Sequence, residues 1–243
     1  MDTSATSEEL GSAAPEVAFL PVGACEQHFG LLPLESDIYQ SARLAADIAG
    51  SFDSYLLPAL AFGTSLENTG LPGTVTLMPG TLAAVVRDVV DCLYCQGFEI
   101  VVVVNSHGGN YILRPTVREI NYRNQGRKTI YIDPWEQVPD RERSRIFEGG
   151  NDLHCGEIET SVMLYLAPET VRVERIQDNE PAAERSELDM FSIPVLSGGK
   201  PWGRPSLATA EKGRKYYELM VEHSARFIEH VIERHRKHGS YHG

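Results

Sequence analysis

Four consecutive valines, Val101–Val104, run straight into Asn105-Ser106-His107-Gly108-Gly109-Asn110. Successive side chains of a strand point to opposite faces, so a run of β-branched residues needs apolar cover on both. That is the environment of a parallel sheet with helices on each side. In open α/β sheets, ligands bind beyond the carboxyl ends of the strands. The run Val102–Asn110 therefore puts His107 where a ligand site would form, beside glycines that let the backbone approach closely. An ordinary strand-to-loop exit with a surface histidine has the same local pattern. The meaning of His107 depends on the rest of the chain.

Around that strand the pattern alternates. Val17–Val22, Tyr55–Phe62, Phe98–Val104 and Lys128–Ile132 read as strands, with a short one at Val75–Leu77. Between them fit an Ala-rich helix that starts near Asp37 and closes at Gly50, and a helix capped by Thr81. The latter carries Leu82, Val85, Val86, Val89 and Leu93 at helical spacing. Tyr111–Gln125 is a further helix, an apolar one follows His154 and stops before Pro168, and the last runs from about Ser206 to His238. This β–α–β–α order with short connections predicts an α/β fold. It is a single-domain three-layer sandwich over residues 17–243, a mostly parallel sheet with helices on both faces. Met1–Glu16, rich in Ser, Ala and Glu, reads as a disordered lead-in. Gly63–Met78, rich in Gly, Thr and Ser, reads as a long functional loop.

Composition removes several function classes. The formal net charge of -12 argues against nucleic acid and against an anionic membrane surface as partners. No signal peptide and no apolar run of bilayer length is recognisable. Cys25, Cys92, Cys95 and Cys155 show no secreted disulfide spacing, which fits a reducing cytoplasm. Cys92 and Cys95 fall at i and i+3 within an amphipathic helix, with no second pair to complete a four-thiolate site. His223, His230, His235, His238 and His242 alternate with charged residues and read as a solvated face and tail.

The other three histidines differ. His28, His107 and His154 all lie in small-residue turns, near the carboxylates Glu26, Asp37, Glu157 and Glu159. Glu26 and His28 are two apart and share a side in extended backbone. Asp37 alone would read as a helix N-cap. Together they form E-x-H…D…H…E, a mixed imidazole and carboxylate set that suits Zn, Mn or Fe. A carboxylate that bridges two such ions lets the pair clamp one water. A metal-free binding or scaffold protein of the same fold is the rival from another class, and the intact Glu26, His28, Asp37 and His107 speak against it.

These stretches resemble a known family. Pro21–His28 (PVGACEQH), Leu32–Asp37 (LPLESD), Leu71–Thr74 (LPGT), Asn105–Asn110 (NSHGGN), His154–Ser161 (HCGEIETS) and Gly203–Gly213 look like the creatininase, or creatinine amidohydrolase, family. The resemblance implies a two-metal centre, usually in a hexamer, acting on a small-molecule substrate. Its motif positions imply that Glu26 and His107 bind one ion, that His28 binds the other, and that Asp37 bridges them. Creatininase takes a further carboxylate two residues after the central histidine, where this chain has Gly109. Glu159 is then the expected replacement ligand, with Glu157 as the alternative. His154 matches the active-site histidine and is expected to move a proton to the leaving nitrogen, with a nearby carboxylate, Glu157, as the other candidate catalytic group. The implied activity is hydrolysis of a small amide or cyclic amide by a hydroxide bridging the metals. Relatives with the Gly-Gly central motif also include formylaminopyrimidine deformylases, a mycofactocin-precursor peptidase and a carbocyclic sugar-ring hydrolase. This chain departs from the usual pattern at Phe29 (glycine in relatives), Leu31 (histidine) and Asn68 (often histidine), which implies a substrate other than creatinine. Phe29, Leu31, Asn68, Trp135 and Trp202 are the expected substrate-contacting residues.

Overall fold

The computed structural model describes residues 1–124 and 126–239. Strands β1 (Val17–Val22), β2 (Ser54–Leu56), β3 (Ile100–Asn105) and β4 (Lys128–Ile132) form one parallel sheet in the order β2-β1-β3-β4. The valine run lies in the middle of it. Residues of β3 alternate between two apolar layers, as the pleat requires. Val102 and Val104, with Phe19, Ile130 and Ile132, meet Leu44 and Ile48 of α2 (Ser36–Ala49) and Tyr216, Met220 and Ile228 of α9 (Ala210–His238). Val101 and Val103, with Leu20 and Val22, meet Leu82, Val86 and Val90 of α3 (Pro79–Cys95) and Leu113, Val117 and Ile120 of α4 (Leu113–Arg123). Helices therefore cover both faces, and the three-layer arrangement is the one the alternating pattern predicts.

Several boundaries differ from expectation. Helix α3 starts at Pro79, because a proline at the first turn brings its fixed φ and has no N–H to lose there; Thr81 lies inside it. Helix α9 starts at Ala210, where the side chain of Thr209 accepts a hydrogen bond from Lys212 N (3.2 Å). Val75 makes only an isolated bridge with Cys25 rather than a strand. Helix α4 ends at Arg123, and the expected end at Gln125 and the expected tail histidine His242 lie outside the described residues.

The N-terminal stretch needs a correction. Instead of a disordered lead-in, it contains helix α1 (Ser7–Ala13), closed by a reciprocal capping box between Thr6 and Glu9. The Met1 amino group donates to Ser54 O (2.8 Å), Asp2 bridges Leu56, and Leu10 packs against the α3–α4 layer. Composition predicted too little apolar surface here, but one leucine and an open edge of β2 anchor the segment.

The short helices α5 (Pro134–Gln137), α6 (Asp140–Arg143) and α8 (Ile193–Ser197) lie in the connections, and α7 (Glu157–Leu166) packs on α9. Gly213 makes that packing possible: a Cβ there would meet Ser161 O at 1.9 Å.

Candidate metal centre

The site is assembled at the carboxyl ends of β1 and β3. These strands are neighbours with Val22 opposite Asn105, so the turns carrying Glu26, His28 and His107 emerge side by side. Gly23 lets α2 come close, since a Cβ there would lie 2.6 Å from Ile38 Cα. The first turn of α2 thereby brings Asp37 into the cluster. The first turn of α7 brings Glu159. Asn105 and Asn110 lock the exit of β3: Asn110 Nδ2 donates to Asn105 Oδ1 (3.0 Å), and Asn105 Nδ2 donates to His107 O (2.8 Å).

The distances define two halves. In one, His28 Nδ1 donates to Glu26 O (3.1 Å), which turns Nε2 toward Glu159 Oε1 at 3.1 Å. Cys155 N donates to the other oxygen of Glu159 (2.8 Å). In the other half, His107 Nε2 lies 3.2 Å from Glu26 Oε2 and 3.5 Å from Glu67 Oε1, while Nδ1 lies 3.2 Å from Asp37 Oδ2. Ligand atoms of Glu26, His28 and Asp37 also lie within 4.8 Å of one another, as do those of His28, His154, Cys155 and Glu159, and those of Glu26, Glu67 and His107. Asp37 thus touches both halves.

His154 sits above them. Its Nε2 donates to Gln27 O (2.9 Å), and its Nδ1 faces Glu26 Oε1 at 3.7 Å. Backbone bridging between His154 and Trp202 fixes the loop, with Trp202 N donating to His154 O (2.8 Å). Asn68 Nδ2 donates to Glu26 Oε2 (2.8 Å), and Gln27 Nε2 donates to Asn68 Oδ1 (2.6 Å).

Electrostatics point to a cation. Glu26, Asp37, His28 and His107 are all buried. Among the described residues no lysine or arginine pairs with Glu26, Asp37, Glu67 or Glu159; their only ionic partners are histidines. Burial pushes the Glu26 carboxyl up to about 8, with the negative charge of Asp37 adding to it and His107 opposing it. Burial opposes protonation of His28, but Glu159 and the other carboxylates outweigh it and raise the imidazole to about 10. His107 is raised well above its ordinary value in the same way, burial again opposing and Glu26 and Asp37 prevailing. His154 behaves oppositely: burial, then the neighbouring His28, lowers it to about 4, so it is neutral at pH 7. Asp37 Oδ2 is buried and makes no hydrogen bond, although His107 Nδ1 is close. Four carboxylates, Glu26, Asp37, Glu67 and Glu159, meet here with only imidazoles as ionic partners, and buried carboxylates are costly unless positive charge offsets them. The donor set of imidazole nitrogens and carboxylate oxygens fits divalent Mn, Zn or Fe.

The structure brings together Glu26, His28, Asp37, His107, His154 and Glu159, and it separates others. Glu157, expected as a catalytic carboxylate, is turned away. It accepts from Lys212 Nζ (2.5 Å) and from Glu148 N (3.2 Å), joining α7 to α9. Residues two apart on a helix differ by about 200° in direction, so only one of Glu157 and Glu159 can face the site. Leu31 is also corrected: it is buried among Leu32, Cys155, Met163 and Val171, not at a cleft wall. Trp202 is fully buried and acts through its backbone. Asn68 lines a cleft beside the cluster with Glu67, Tyr111 and Arg185, and Trp135 lines a second one with Asp133 and Asp152. Phe29 holds a left-handed backbone (φ 53°) and sets its ring edge-on to His154, with centroids 5.7 Å apart. The sequence reading did not single out Glu67, Gln27, Asp133 or Asp152. Burial raises both aspartates to about 6. Glu67 carried one legible signal, an acidic residue in the loop already read as functional.

Comparison with known proteins agrees with this geometry. The family profile for creatininase, creatinine amidohydrolase, matches residues 3–228. A mycofactocin precursor peptide peptidase of Mycobacterium tuberculosis (strain ATCC 25618 / H37Rv) is 31% identical over 243 residues, 93% of this chain and 89% of the relative. Creatinine amidohydrolase of Pseudomonas putida is 29% identical over 224 residues, 85% of this chain and 86% of the relative. The manganese form of creatininase superposes with a TM-score of 0.83 at 26% identity, covering 94% of this chain and 97% of that one. With its two histidine–carboxylate halves at adjacent strand ends, this chain belongs to the creatininase family of metal-dependent amidohydrolases.

Proposed function

We propose that the chain hydrolyses the C–N bond of a small amide or cyclic amide using two divalent ions per chain. The observation that carries this reading is Asp37, whose buried carboxylate lies between the His28–Glu159 half and the Glu26–His107 half with His107 as its ionic partner. Asp37 would be the shared ligand, with Glu26 and His107 holding one ion and His28 and Glu159 the other. Bound there, paired divalent cations supply Lewis acidity and a nucleophilic water at neutral pH.

The chain's own residues do the rest. The Nδ1–H of His28, tied to Glu26 O, keeps Nε2 aimed into the cluster, as orientation of a ligand by its outer hydrogen bond requires. Asn68 fixes Glu26, and Gln27 fixes Asn68. His154 is neutral and presents Nδ1 to the cluster, so it can take a proton there and return it to the leaving nitrogen. Phe29, where relatives have glycine, sets an apolar ring against His154 without lining either cleft at the cluster, and this departure favours a substrate other than creatinine. Peptide cleavage is the second reading. It is favoured by Arg185, which lines both clefts, makes no ion pair among the described residues, and would suit a carboxylate on the substrate. Assembly as a homo-hexamer is part of the proposal and is supported by exposed apolar side chains at Met190, Phe191 and Val195. A cytoplasmic setting is supported by four free thiols.

The test combines metal analysis with a substrate panel of cyclic amides, N-formyl amines and short peptides. The expected result is close to two divalent ions per chain, hydrolysis abolished by a chelator and restored by Mn2+, and poor turnover of creatinine. A metal-free preparation with full activity overturns the reading. Turnover of peptides alone moves it to peptide cleavage.

A further inference from the structure

Resting on the two-ion reading, we propose that Glu67 is a ligand of the ion held by Glu26 and His107, which it approaches through space that glycine at position 109 leaves open. Glu67 lies in the 3-10 turn Leu66–Asn68, within a loop distant in sequence from both strand-end turns. Its Oε1 is 3.5 Å from His107 Nε2, and Glu26 Oε2 is 3.2 Å from the same nitrogen. Thr64 O (2.9 Å) and Ser65 Oγ (3.2 Å) face that nitrogen too. One imidazole nitrogen offers one proton or one lone pair, so it satisfies only one of these oxygens. Glu26 has a second partner in Asn68 Nδ2. Among the described residues Glu67 has no hydrogen-bond donor and no lysine or arginine; the His107 ring is its only ionic partner. Its side chain is 14% exposed, so water covers little of it. A carboxylate aimed into a buried cluster on such terms calls for a cation.

Gly109 leaves the room in which the Glu67 carboxylate meets His107. A Cβ there would lie 2.0 Å from Glu67 Oε1, 2.3 Å from His107 Nε2 and 2.4 Å from Thr64 O. Gly109 is not among the positive-φ residues, so its backbone conformation does not demand glycine. Space does, because the Thr64 carbonyl, the His107 ring and the Glu67 carboxylate all crowd the position. The charges agree with this: Glu26, Asp37, Glu67 and Glu159 carry four negative charges when ionised, enough to offset two dications.

The test is titration of metal-free protein with Mn2+ by calorimetry, comparing wild type with E67Q and E67D. Gln keeps the shape and a hydrogen-bond acceptor for His107 but removes the charge. E67Q is expected to weaken one ion by more than about 10²-fold, beyond the usual cost of losing an outer hydrogen bond to a ligand. The other ion should keep its wild-type affinity, which also shows that the variant is folded. E67D keeps the charge with a shorter reach, and should bind both ions with the first weakened by about tenfold, within the range of a displaced supporting contact. Binding of both ions by E67Q at wild-type affinity overturns the assignment, as does equal binding by E67D and E67Q. Wild type that binds fewer than two ions overturns the two-ion reading itself.

Discussion

The turns that leave β1 and β3 lie side by side and meet crowding in opposite ways. After β1, Phe29 follows His28 with its backbone in the left-handed region, where a non-glycine residue is strained by about 1–2 kcal/mol. Its half-buried ring lies against His154. After β3, Gly109 has no such backbone requirement, yet a single added carbon would strike Glu67, His107 and the Thr64 backbone. A residue that could be glycine is aromatic, and a residue with ordinary backbone must be glycine. The first turn accepts backbone strain to place a ring on His154. The second gives up a side chain to admit a carboxylate from another loop.

The comparison breaks most severely at the residue the two turns share. Asp37→Asn keeps the shape but removes the charge facing both halves. It should lose at least one ion per chain by elemental analysis and with it all measurable hydrolysis. Retention of both ions by this variant would mean that the halves are independent. The next largest effect separates holding an ion from moving a proton. His154→Ala should keep both ions and an unchanged fold, while kcat falls by about 10²–10⁴, the usual weight of general acid–base catalysis. Loss of metal in His154→Ala would assign the ring to the ligand set instead. The smallest effect sets the turns against each other. Gly109→Ala should lower unfolding stability by about 1–3 kcal/mol, as overpacking of a buried position does. Phe29→Gly should change it by less than about 1 kcal/mol, because relief of the left-handed strain offsets the lost ring contacts. Equal losses in denaturant titrations of the two variants would erase the distinction drawn here.

Much of the architecture was legible because it rests on short-range patterns. The β-branched run Val101–Val104 demanded cover on both faces, and the alternation of strands and helices fixed where their ends would meet. Glu26, His28, Asp37 and His107 could be chosen because each ends a strand or starts a helix at the same edge of the sheet. Leu31 was misread because its role depends on which way one turn residue points. With Phe29 left-handed, Leu31 turns into the core against Cys155 and Met163. Trp202 was misread for a related reason, since its ring is buried and only its backbone reaches His154.

The sequence by itself determined the parallel sheet and its helical cover, the carboxyl edge on which the candidate site is built, and the chemical types of the candidate ligands. These follow from side-chain periodicity, turn residues and the preferences of metal ions. Only the tertiary structure decided between Glu157 and Glu159, because helix α7 has one face toward His28 and the opposite face toward Lys212. Only the tertiary structure brought in Glu67, which reaches His107 across 40 residues of chain through space that Gly109 leaves open. Periodicity fixes which face of an element a residue occupies. Which loops close over that face depends on long-range packing, and no local pattern in the sequence records it.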